Sequence, residues 1–394
     1  MSSLLFIHRP LTLLLGILGF GLQPVCMAQN EEYTSIEATK SDTLAADSLT
    51  AWGRLAGKVK HTTNIIYRFV RHFNDYDPTY IAPNYYNFTT MAQSTNHFQV
   101  YRLEGGDRSG RHQSITTQPQ PGTKVGPYLG WQWLFIGYAF DVSSPHKGGK
   151  HTEFTLSLYS AMLGCDFVHL RNNGDYRLRR ATGFVGVPST SVKDMHFNGM
   201  GSTTTSLSAY YVFNHKRFSY PAAYNQSTVQ LKSAGSPMLG LGFSKQKVDF
   251  DHTRLPAELL YTPTGESALV DELKFTRIDY TYYYLSGGYA YNWVFAPRWL
   301  LGASIMPSIG WRKAKGSKIE ANNVWMNIKN FSFDCLSRLG LVWNNSRCFA
   351  GASFISHLYI YRKDRLSVTN SINYLNVYVG FYFDRKSKYK DVRL

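Results

Sequence analysis

Apolar and polar residues alternate along most of the chain after residue 85, which is the periodicity of β-strands with two different faces. In the last predicted strand every second residue is large and apolar: Leu375, Val377, Val379, Phe381 and Phe383. The intervening residues are Tyr, Asn and Gly. A strand that is apolar on one face and small or polar on the other is typical of a membrane barrel wall.

Twelve alternating runs are predicted to be strands. They cover residues 86–103, 123–131, 133–142, 152–160, 162–171, 203–213, 236–248, 278–291, 298–310, 329–343, 346–361 and 372–383. The first run is long enough to be two short strands instead. An even number of strands returns both ends of a barrel to the same side of the membrane.

The connections between these runs alternate in length, as they do in bacterial membrane barrels. The connections expected to be long, on the outer side, are 104–122, 143–151, 172–202, 249–277, 311–328 and 362–371. The short turns expected on the periplasmic side are Gln132, Ala161, Asn292–Pro297 and Asn344–Asn345. Residues 214–235 break the rule, because they form a long connection on the predicted periplasmic side.

A soluble β-sandwich is the main alternative fold, because its strands alternate in the same way. A sandwich of this length would usually be divided into two domains, and no linker is evident after residue 85. The aromatic content and the alternation of connection lengths also favour a barrel. The predicted fold is therefore all-β, an antiparallel transmembrane β-barrel of about 12 strands, preceded by a short amphipathic helix.

The ends of the chain are predicted to lie outside this barrel domain, which is assigned to residues 74–384. A basic start, a twelve-residue apolar stretch and a small residue before the cleavage point predict a signal peptide over residues 1–28. Residues 29–50 are polar and predict a flexible linker, and residues 51–73 have the spacing of a basic amphipathic helix. Residues 385–394 form a basic tail. Export by this signal predicts a location in the cell outer membrane.

The composition limits the class of partner. Aromatic residues make up 15% of the 394 residues, and charged residues only 17%, which argues against a disordered chain or a coiled coil. The formal net charge is +16. Because an exported chain seldom meets nucleic acid, the charge is assigned to anionic surfaces such as lipopolysaccharide or phospholipid headgroups. Ordinary solubility charge explains it equally well.

The three cysteines after the predicted cleavage site are expected to be packing residues. Cys335 and Cys348 lie on a predicted hairpin that turns near Asn344. The residue opposite Cys335 is expected near Phe354, which leaves Cys348 out of disulfide reach. Cys165 has no predicted partner. With no C-x-x-C motif or cluster of His ligands, neither a metal site nor a cofactor is expected.

Residues 214–235 are the candidate functional segment, because loops carry function more often than strands do. We expect this segment to fold into the barrel lumen or to cover its mouth, where it could bind an anion, narrow a pore or dock a periplasmic partner. The alternative is an extended strand end with a turn near Pro221. The candidate lumen or partner-binding residues are Asn214, His215, Lys216, Arg217, Ser219, Tyr220, Tyr224, Asn225 and Gln226.

No catalytic residues are predicted. The chain has no G-x-S-x-G elbow, no H-E-x-x-H motif and no P-loop. His196, Asn198 and Ser202 are close in sequence, but three residues of one glycine-rich loop seldom converge into a catalytic site. The adjacent acids Asp271 and Glu272 are more typical of a solvated loop than of an acid–base pair.

Three segments carry a family resemblance: Asn74–Pro83, Gly126–Trp133 and Phe213–Ser227 with Ser233–Ser236. Over roughly residues 65–384 the chain resembles an exported family of Gram-negative bacteria catalogued as domain of unknown function 4421. The resemblance implies an outer-membrane-type β protein, and it implies no reaction or catalytic residue. The partners expected for such a protein are outer-membrane lipid, lipopolysaccharide, the barrel assembly machinery and a periplasmic protein.

Three functional hypotheses follow. The first is a non-enzymatic outer-membrane barrel, either a narrow channel or a closed scaffold. The second is a barrel enzyme acting on lipid or lipopolysaccharide, in which His196 or Ser202 would be essential. The third is a soluble periplasmic β protein that binds a partner and needs no detergent.

Overall fold

The computed structural model describes residues 76–131, 134–137, 140–142, 151–189, 191–315 and 331–390. The predicted signal peptide (1–28), linker (29–50) and basic helix (51–73) lie outside these residues, as does the end of the predicted tail. Among the described residues no helix is both long enough and apolar enough to cross a membrane.

The described part of the chain is mostly antiparallel β-sheet. The strands are β1 Ile81–Pro83, β2 Tyr86–Gly106, β3 His112–Pro119, β4 Gly122–Trp131, β5 Leu134–Gly137, β6 Phe140–Asp141, β7 His151–Tyr159, β8 Leu163–Asn173, β9 Tyr176–Thr182, β10 Met195–Phe197, β11 Met200–Val212, β12 Thr228–Gln230, β13 Ala234–Phe250, β14 Arg277–Ala296, β15 Trp299–Lys315, β16 Phe331–Asn344, β17 Cys348–Lys363 and β18 Leu366–Arg385. The helices are α1 Tyr220–Tyr224 and α2 Ala257–Leu260, with 3-10 helices at His252–Arg254, Asp271–Leu273 and Ser387–Tyr389.

One large sheet contains all of these strands except β1 and β12, which pair with each other. Its order is β10-β9-β3-β2-β18-β17-β16-β15-β14-β13-β11-β8-β7, and β4 pairs with a second part of β2 and with β5 and β6. The first long strand and the last one are neighbours, paired from Tyr86 opposite Arg385 to Gly105 opposite Leu366. This pairing joins the two ends of the described fold.

The predicted number of strands is wrong, because the described sheet has sixteen strands instead of twelve. Each predicted run contains a strand, and the run 133–142 contains two, β5 and β6. The other additional strands, β3, β9 and β10, lie in connections that were predicted to be loops. Strand β3 extends the sheet from the far half of β2, and its polar residues mask the alternation around Ile115. Within the described ranges, strand pairing does not close the sheet into a ring.

Two connections differ in size from their predictions. Residues 362–371 were predicted to be a long loop, but β17 and β18 continue into this range and leave a two-residue turn at Asp364 and Arg365. Asp364 has a φ of 52°, in the left-handed region that such a tight turn requires. The predicted turn 292–297 likewise shrinks to Pro297 and Arg298, because β14 extends to Ala296.

The two faces of the sheet are inverted relative to a soluble protein. On β18 the outward residues Val377 and Val379 are 51% and 60% exposed, whereas Tyr378 between them is buried. The outward apolar face, which we call the apolar belt, continues over neighbouring strands and includes Leu241, Tyr283, Leu285, Trp293, Ile305, Phe333, Leu339 and Phe381. Many residues of the opposite face are polar and buried, including Gln99, Gln246, Asn292, Ser304, Arg338, Asn370 and Asn376.

The sheet curls so that its inner face encloses a lumen. Asn172 Nδ2 on β8 donates to Gln99 Oε1 on β2 at 2.7 Å, although these strands are far apart in the sheet. Asn370 Nδ2 on β18 likewise donates to Gln246 Oε1 on β13 at 3.2 Å. An ion pair between Lys124 Nζ on β4 and Glu153 Oε2 on β7, at 2.6 Å, brings the two edges of the sheet close together.

One end of the lumen is filled by a hydrophobic cluster, and we call this the loop end because the long connections meet there. The cluster combines residues of the wall with residues of β3, β9 and the 251–276 connection: Tyr101, Leu103, Ile115, Leu178, Phe250, Leu259, Leu269 and Leu273. Gln113 fastens the connection to β3, because its Nε2 donates to the Ala268 carbonyl at 2.7 Å and its Oε1 accepts from the Val270 amide at 2.9 Å. We call the opposite end the turn end.

The three cysteines in the described part of the chain, Cys165, Cys335 and Cys348, are free thiols. The register of the hairpin differs from the prediction, because Cys335 lies opposite Leu358 and not near Phe354. The hairpin turns just after Asn344, where β16 ends.

Candidate lumen site

Residues 214–235, which we call the inner segment, lie against the inner face of the sheet. The segment contains the short helix α1, and Tyr220, Ala222 and Ala223 in it are buried. The Ser219 side chain caps the helix by accepting a hydrogen bond from the Ala222 amide at 3.2 Å, and Pro221 occupies its first turn. This arrangement replaces the extended strand end that was the alternative expectation.

Residues 77–83, which precede the large sheet, hold the inner segment in place. Strand β1 pairs with β12, so that Ile81 lies opposite Gln230. The Leu231 amide donates to the Tyr80 carbonyl at 2.7 Å, and the Asp77 amide donates to the Lys216 carbonyl at 2.7 Å. The inner segment is therefore fastened at its base by backbone hydrogen bonds that do not depend on side-chain identity.

Helix α1 sits on two glycines of the wall. A Cβ atom added at Gly302 on β15 would lie 2.6 Å from the Cβ of Ala223, and one added at Gly340 on β16 would lie 2.9 Å from the Ala223 carbonyl oxygen. The side-chain nitrogen Nδ2 of Asn292 on β14 donates to the Ser219 carbonyl at 2.7 Å. Small residues in the wall and a small residue in the helix thus allow close packing at this point.

Two buried glutamines connect the inner segment to itself and to the wall. Gln226 Nε2 donates to the Tyr378 hydroxyl at 3.1 Å, and the Tyr382 hydroxyl donates to the Gln226 carbonyl at 2.7 Å. Gln230 Oε1 accepts from the Ser219 amide at 2.8 Å, and its Nε2 donates to the Arg217 carbonyl at 2.7 Å. Gln226 was among the predicted residues, whereas Gln230 was not.

A buried ion pair lies beside helix α1. Arg338 Nη2 on β16 contacts Asp166 Oδ2 on β8 at 2.6 Å, and the two side chains are only 2% and 5% exposed. Arg338 Nη1 also donates to the Tyr220 hydroxyl at 2.6 Å, which couples the pair to the inner segment. Asp166 Oδ1 accepts from Ser157 and Tyr159 at 2.6 and 3.0 Å. Four tyrosine rings surround the guanidinium, those of Tyr159, Tyr210, Tyr220 and Tyr224.

Neither member of this ion pair was a predicted site residue. Arg338 lies within the predicted run 329–343, and nothing in its local sequence distinguishes it from an ordinary polar residue of a strand. The signal was nevertheless in the sequence, because an ionisable residue inside a wall strand is costly and usually has a partner. The partner could not be found from sequence, since Asp166 lies on a strand that does not neighbour β16.

The turn end of the inner segment is exposed and basic. Arg217 and Lys232 lie over the Tyr80 ring, with 5.2 and 5.5 Å from the charged group to the ring centroid. Asp77 is the nearby acid, and hydrogen bonds from Thr79 hold the pKa of its carboxyl below the usual range. The predicted residues Lys216 and Arg217 are therefore exposed at the turn end, whereas Tyr220 and Gln226 are buried in the lumen.

The remaining predicted residues close the base of the segment or line a cavity. The Asn214 amide nitrogen Nδ2 donates to the Gly235 carbonyl at 2.8 Å, which joins the two ends of the segment. His215 is buried with its ring near that of Tyr211. Asn225 caps the end of α1 and, with Tyr224 and Gln226, borders the main lumen cavity.

The lumen cavity has a volume of about 570 Å³ and lies on the loop-end side of the inner segment. Residues of β2, β7, β17 and β18 form its walls. A second cavity of about 610 Å³ lies on the turn-end side, where Tyr76, Asn84 and Lys386 border it. The inner segment therefore separates two cavities, and Tyr159 borders both.

The candidate catalytic residues do not share partners. His196 Nε2 lies 3.1 Å from Asp175 Oδ1, whereas the Ser202 hydroxyl hydrogen-bonds the Tyr176 hydroxyl at 2.7 Å. Ser202 is buried and His196 is exposed. Asp271 pairs with Lys274 at 2.8 Å on the surface. In the part of the chain that the structure describes, no three His, Cys, Asp or Glu side chains are grouped as metal ligands would be.

The chain matches a family model over residues 75–383, nearly the whole of the described fold. It belongs to the family described as Domain of unknown function (DUF4421). This confirms the resemblance that the three sequence segments indicated. No curated protein matches the chain.

Solved structures with some similarity to this chain include outer membrane proteins of bacteria. The outer membrane protease OmpT of Escherichia coli is 8% identical, with 77% of this chain and 98% of that chain covered and a TM-score of 0.33. The toluene transporter TodX of P. putida is 11% identical, with 75% and 91% covered and a TM-score of 0.24. OprG of Pseudomonas aeruginosa is 9% identical, with 77% and 98% covered and a TM-score of 0.23. Because the TM-scores are this low, the similarities carry no inference about the activity of this chain.

Proposed function

We propose that this protein is a non-enzymatic outer-membrane β-barrel whose lumen is closed by its own inner segment. The observation that supports this most strongly is the inversion of the two faces of the sheet. Large apolar side chains point outward while amides, hydroxyls and an ion pair are buried inside. A soluble β-sandwich would bury its apolar face and expose its polar one.

The apolar belt has the composition that a lipid-facing surface requires. On β14 the outward residues Tyr283, Leu285, Tyr289, Tyr291 and Trp293 are all substantially exposed. A contiguous exposed apolar surface of this extent is unfavourable in water. In a bilayer the same surface contacts the hydrocarbon chains of the lipid. Outer-membrane lipid and lipopolysaccharide are then its surrounding partners, and the predicted signal peptide and the barrel assembly machinery are its route to the membrane.

The interior favours a closed scaffold over a narrow channel. A channel needs a continuous aqueous path from one end of the lumen to the other. Here the hydrophobic cluster at the loop end and the inner segment both lie across that path. Helix α1 and the residues that flank it, Ser219 and Gln226, make hydrogen bonds to β14, β16 and β18, so the helix is anchored on several sides of the lumen.

Fractionation and gel mobility test the membrane location. The full chain is expected in the outer-membrane fraction, soluble only with detergent, and to migrate faster on a gel when it is not boiled. Recovery of the folded protein in the soluble fraction without detergent would contradict the proposal and support a periplasmic binding protein.

Bilayer conductance tests the closure. The full chain is expected not to conduct, whereas a variant in which Gly-Ser linkers replace both residues 216–232 and the cluster-forming residues 255–273 is expected to conduct, because both obstructions are then removed. A matched control replaces only residues 262–267, most of which are exposed, and is expected to stay closed because both obstructions remain. Stable conductance by the unmodified chain would favour the narrow channel instead.

A further inference from the structure

We propose that the lumen cavity is a binding site for a small uncharged polyhydroxy ligand, a sugar of one or two rings. The cavity volume of about 570 Å³ lies within the range of small-molecule sites in proteins. The proposal does not depend on the membrane location, because the cavity is a property of the fold itself.

The charges around the cavity argue against a charged ligand. Among the described residues, four side chains of the Lys, Arg, Asp and Glu types line it, and they form two ion pairs. Lys124 pairs with Glu153 at 2.6 Å, and Arg338 pairs with Asp166 at 2.6 Å. An anion or cation would have to compete with these pairs, and it would gain no net charge of the opposite sign.

The polar groups of one wall match hydroxyl groups. Thr95 Oγ1 donates to Asn376 Oδ1 at 2.9 Å, Gln93 Nε2 donates to Thr95 Oγ1 at 2.9 Å, and Asn376 Nδ2 donates to Ser353 Oγ at 3.1 Å. Amides and hydroxyls each offer both donors and acceptors, as the hydroxyls of a sugar do. This row of side chains on β2, β17 and β18 can therefore bind a polyol without any change in protonation.

Two further features of the lining suit a sugar. The rings of Tyr128, Tyr224, Tyr374 and Tyr378 border the cavity and offer flat apolar faces to the C–H surface of a sugar ring. In addition, Arg338 lines the cavity, and its side chain is only 2% exposed. Its Nε atom has no hydrogen-bond partner in the described part of the chain. A buried donor without a partner is costly, and a ligand hydroxyl would satisfy it.

Isothermal titration calorimetry on the purified full chain tests this proposal. The probes are glucose, galactose, maltose and lactose at millimolar concentrations, with glucosamine as the cationic analogue and glucuronate as the anionic one. We expect saturable binding of at least one neutral sugar and weaker binding of both charged analogues. Tighter binding of a charged analogue would overturn the ligand class. If none of the four neutral sugars binds, the cavity holds water only and the proposal is wrong.

Matched variants locate the binding. Thr95 lies opposite the inward Asn376, whereas Thr90 on the same strand lies opposite the outward Phe381. Thr95→Val is expected to weaken sugar binding roughly five-fold, the effect of one lost hydrogen bond, and Thr90→Val to leave it unchanged. Ser353→Phe fills the cavity and is expected to abolish binding. Heat-modifiable gel mobility establishes that each variant is folded, and binding that survives Ser353→Phe in folded protein would place the site elsewhere.

Discussion

At the scale of single residues, the ion pair of Arg338 and Asp166 is the most consequential interaction inside the lumen. Both side chains are almost completely buried, and the tyrosine and serine hydroxyls around them satisfy further hydrogen bonds. Burying such a pair is not in itself strongly stabilising, but removing one member leaves the other as an unpaired charge. The interaction therefore specifies the position of helix α1 more than it adds stability.

The Arg338→Met variant is expected to be destabilised by about 3–5 kcal/mol, because Asp166 then remains buried without its counter-ion. The measurement is the temperature at which the fast-migrating, folded gel band disappears. The matched control is Arg102→Met, which breaks the surface pair with Glu104 and is expected to cost about 0–1 kcal/mol. The double variant Asp166→Leu with Arg338→Met is expected to recover most of the loss. Equal stability of the two single arginine variants would contradict this account.

At the scale of elements, the close packing of helix α1 against the sheet depends on two glycines, Gly302 and Gly340. The Gly302→Ala variant places a methyl group 2.6 Å from Ala223 and is expected to cost about 1–3 kcal/mol through overpacking. Gly287→Ala is the matched control, since a Cβ at Gly287 meets nothing within 4 Å. Its stability is expected to be unchanged or slightly higher. Thermal unfolding in detergent measures both, and a destabilised Gly287→Ala with an intact Gly302→Ala would refute the packing argument.

The elements also show where sequence reasoning succeeds and where it stops. Alternation located a strand in every predicted run, because strands with unlike faces leave a period of two. It missed β3, whose residues other than Ile115 are mostly polar, and β9, where the buried Tyr176, Leu178 and Ala181 do not keep a strict period of two. It also did not show that β17 and β18 continue through 362–371. The unusual length of 214–235 drew attention to the inner segment. Its contacts with Asn292, Arg338 and Tyr378 could not be predicted, because these residues lie on strands that are distant from the segment in sequence.

At the scale of the whole molecule, the decisive question is which solvent the outer face meets. The belt residues of β18 run from Leu375 to Phe383, and Val379 lies at the centre of this row with 60% of its surface exposed. Val185 is exposed to a similar degree, 72%, but it lies in the loop after β9. In water the two positions would be equivalent. In a bilayer only the first is surrounded by hydrocarbon.

Arginine substitutions at these two valines separate the two solvents. Val379→Arg is expected to cost about 2–4 kcal/mol and to reduce the amount of folded, heat-modifiable protein in the outer membrane, because a charge near the bilayer centre is poorly solvated. Val185→Arg is expected to behave like the unmodified chain. If both variants assemble and unfold alike, the belt does not contact lipid, and the inverted faces of the sheet must be covered by protein instead.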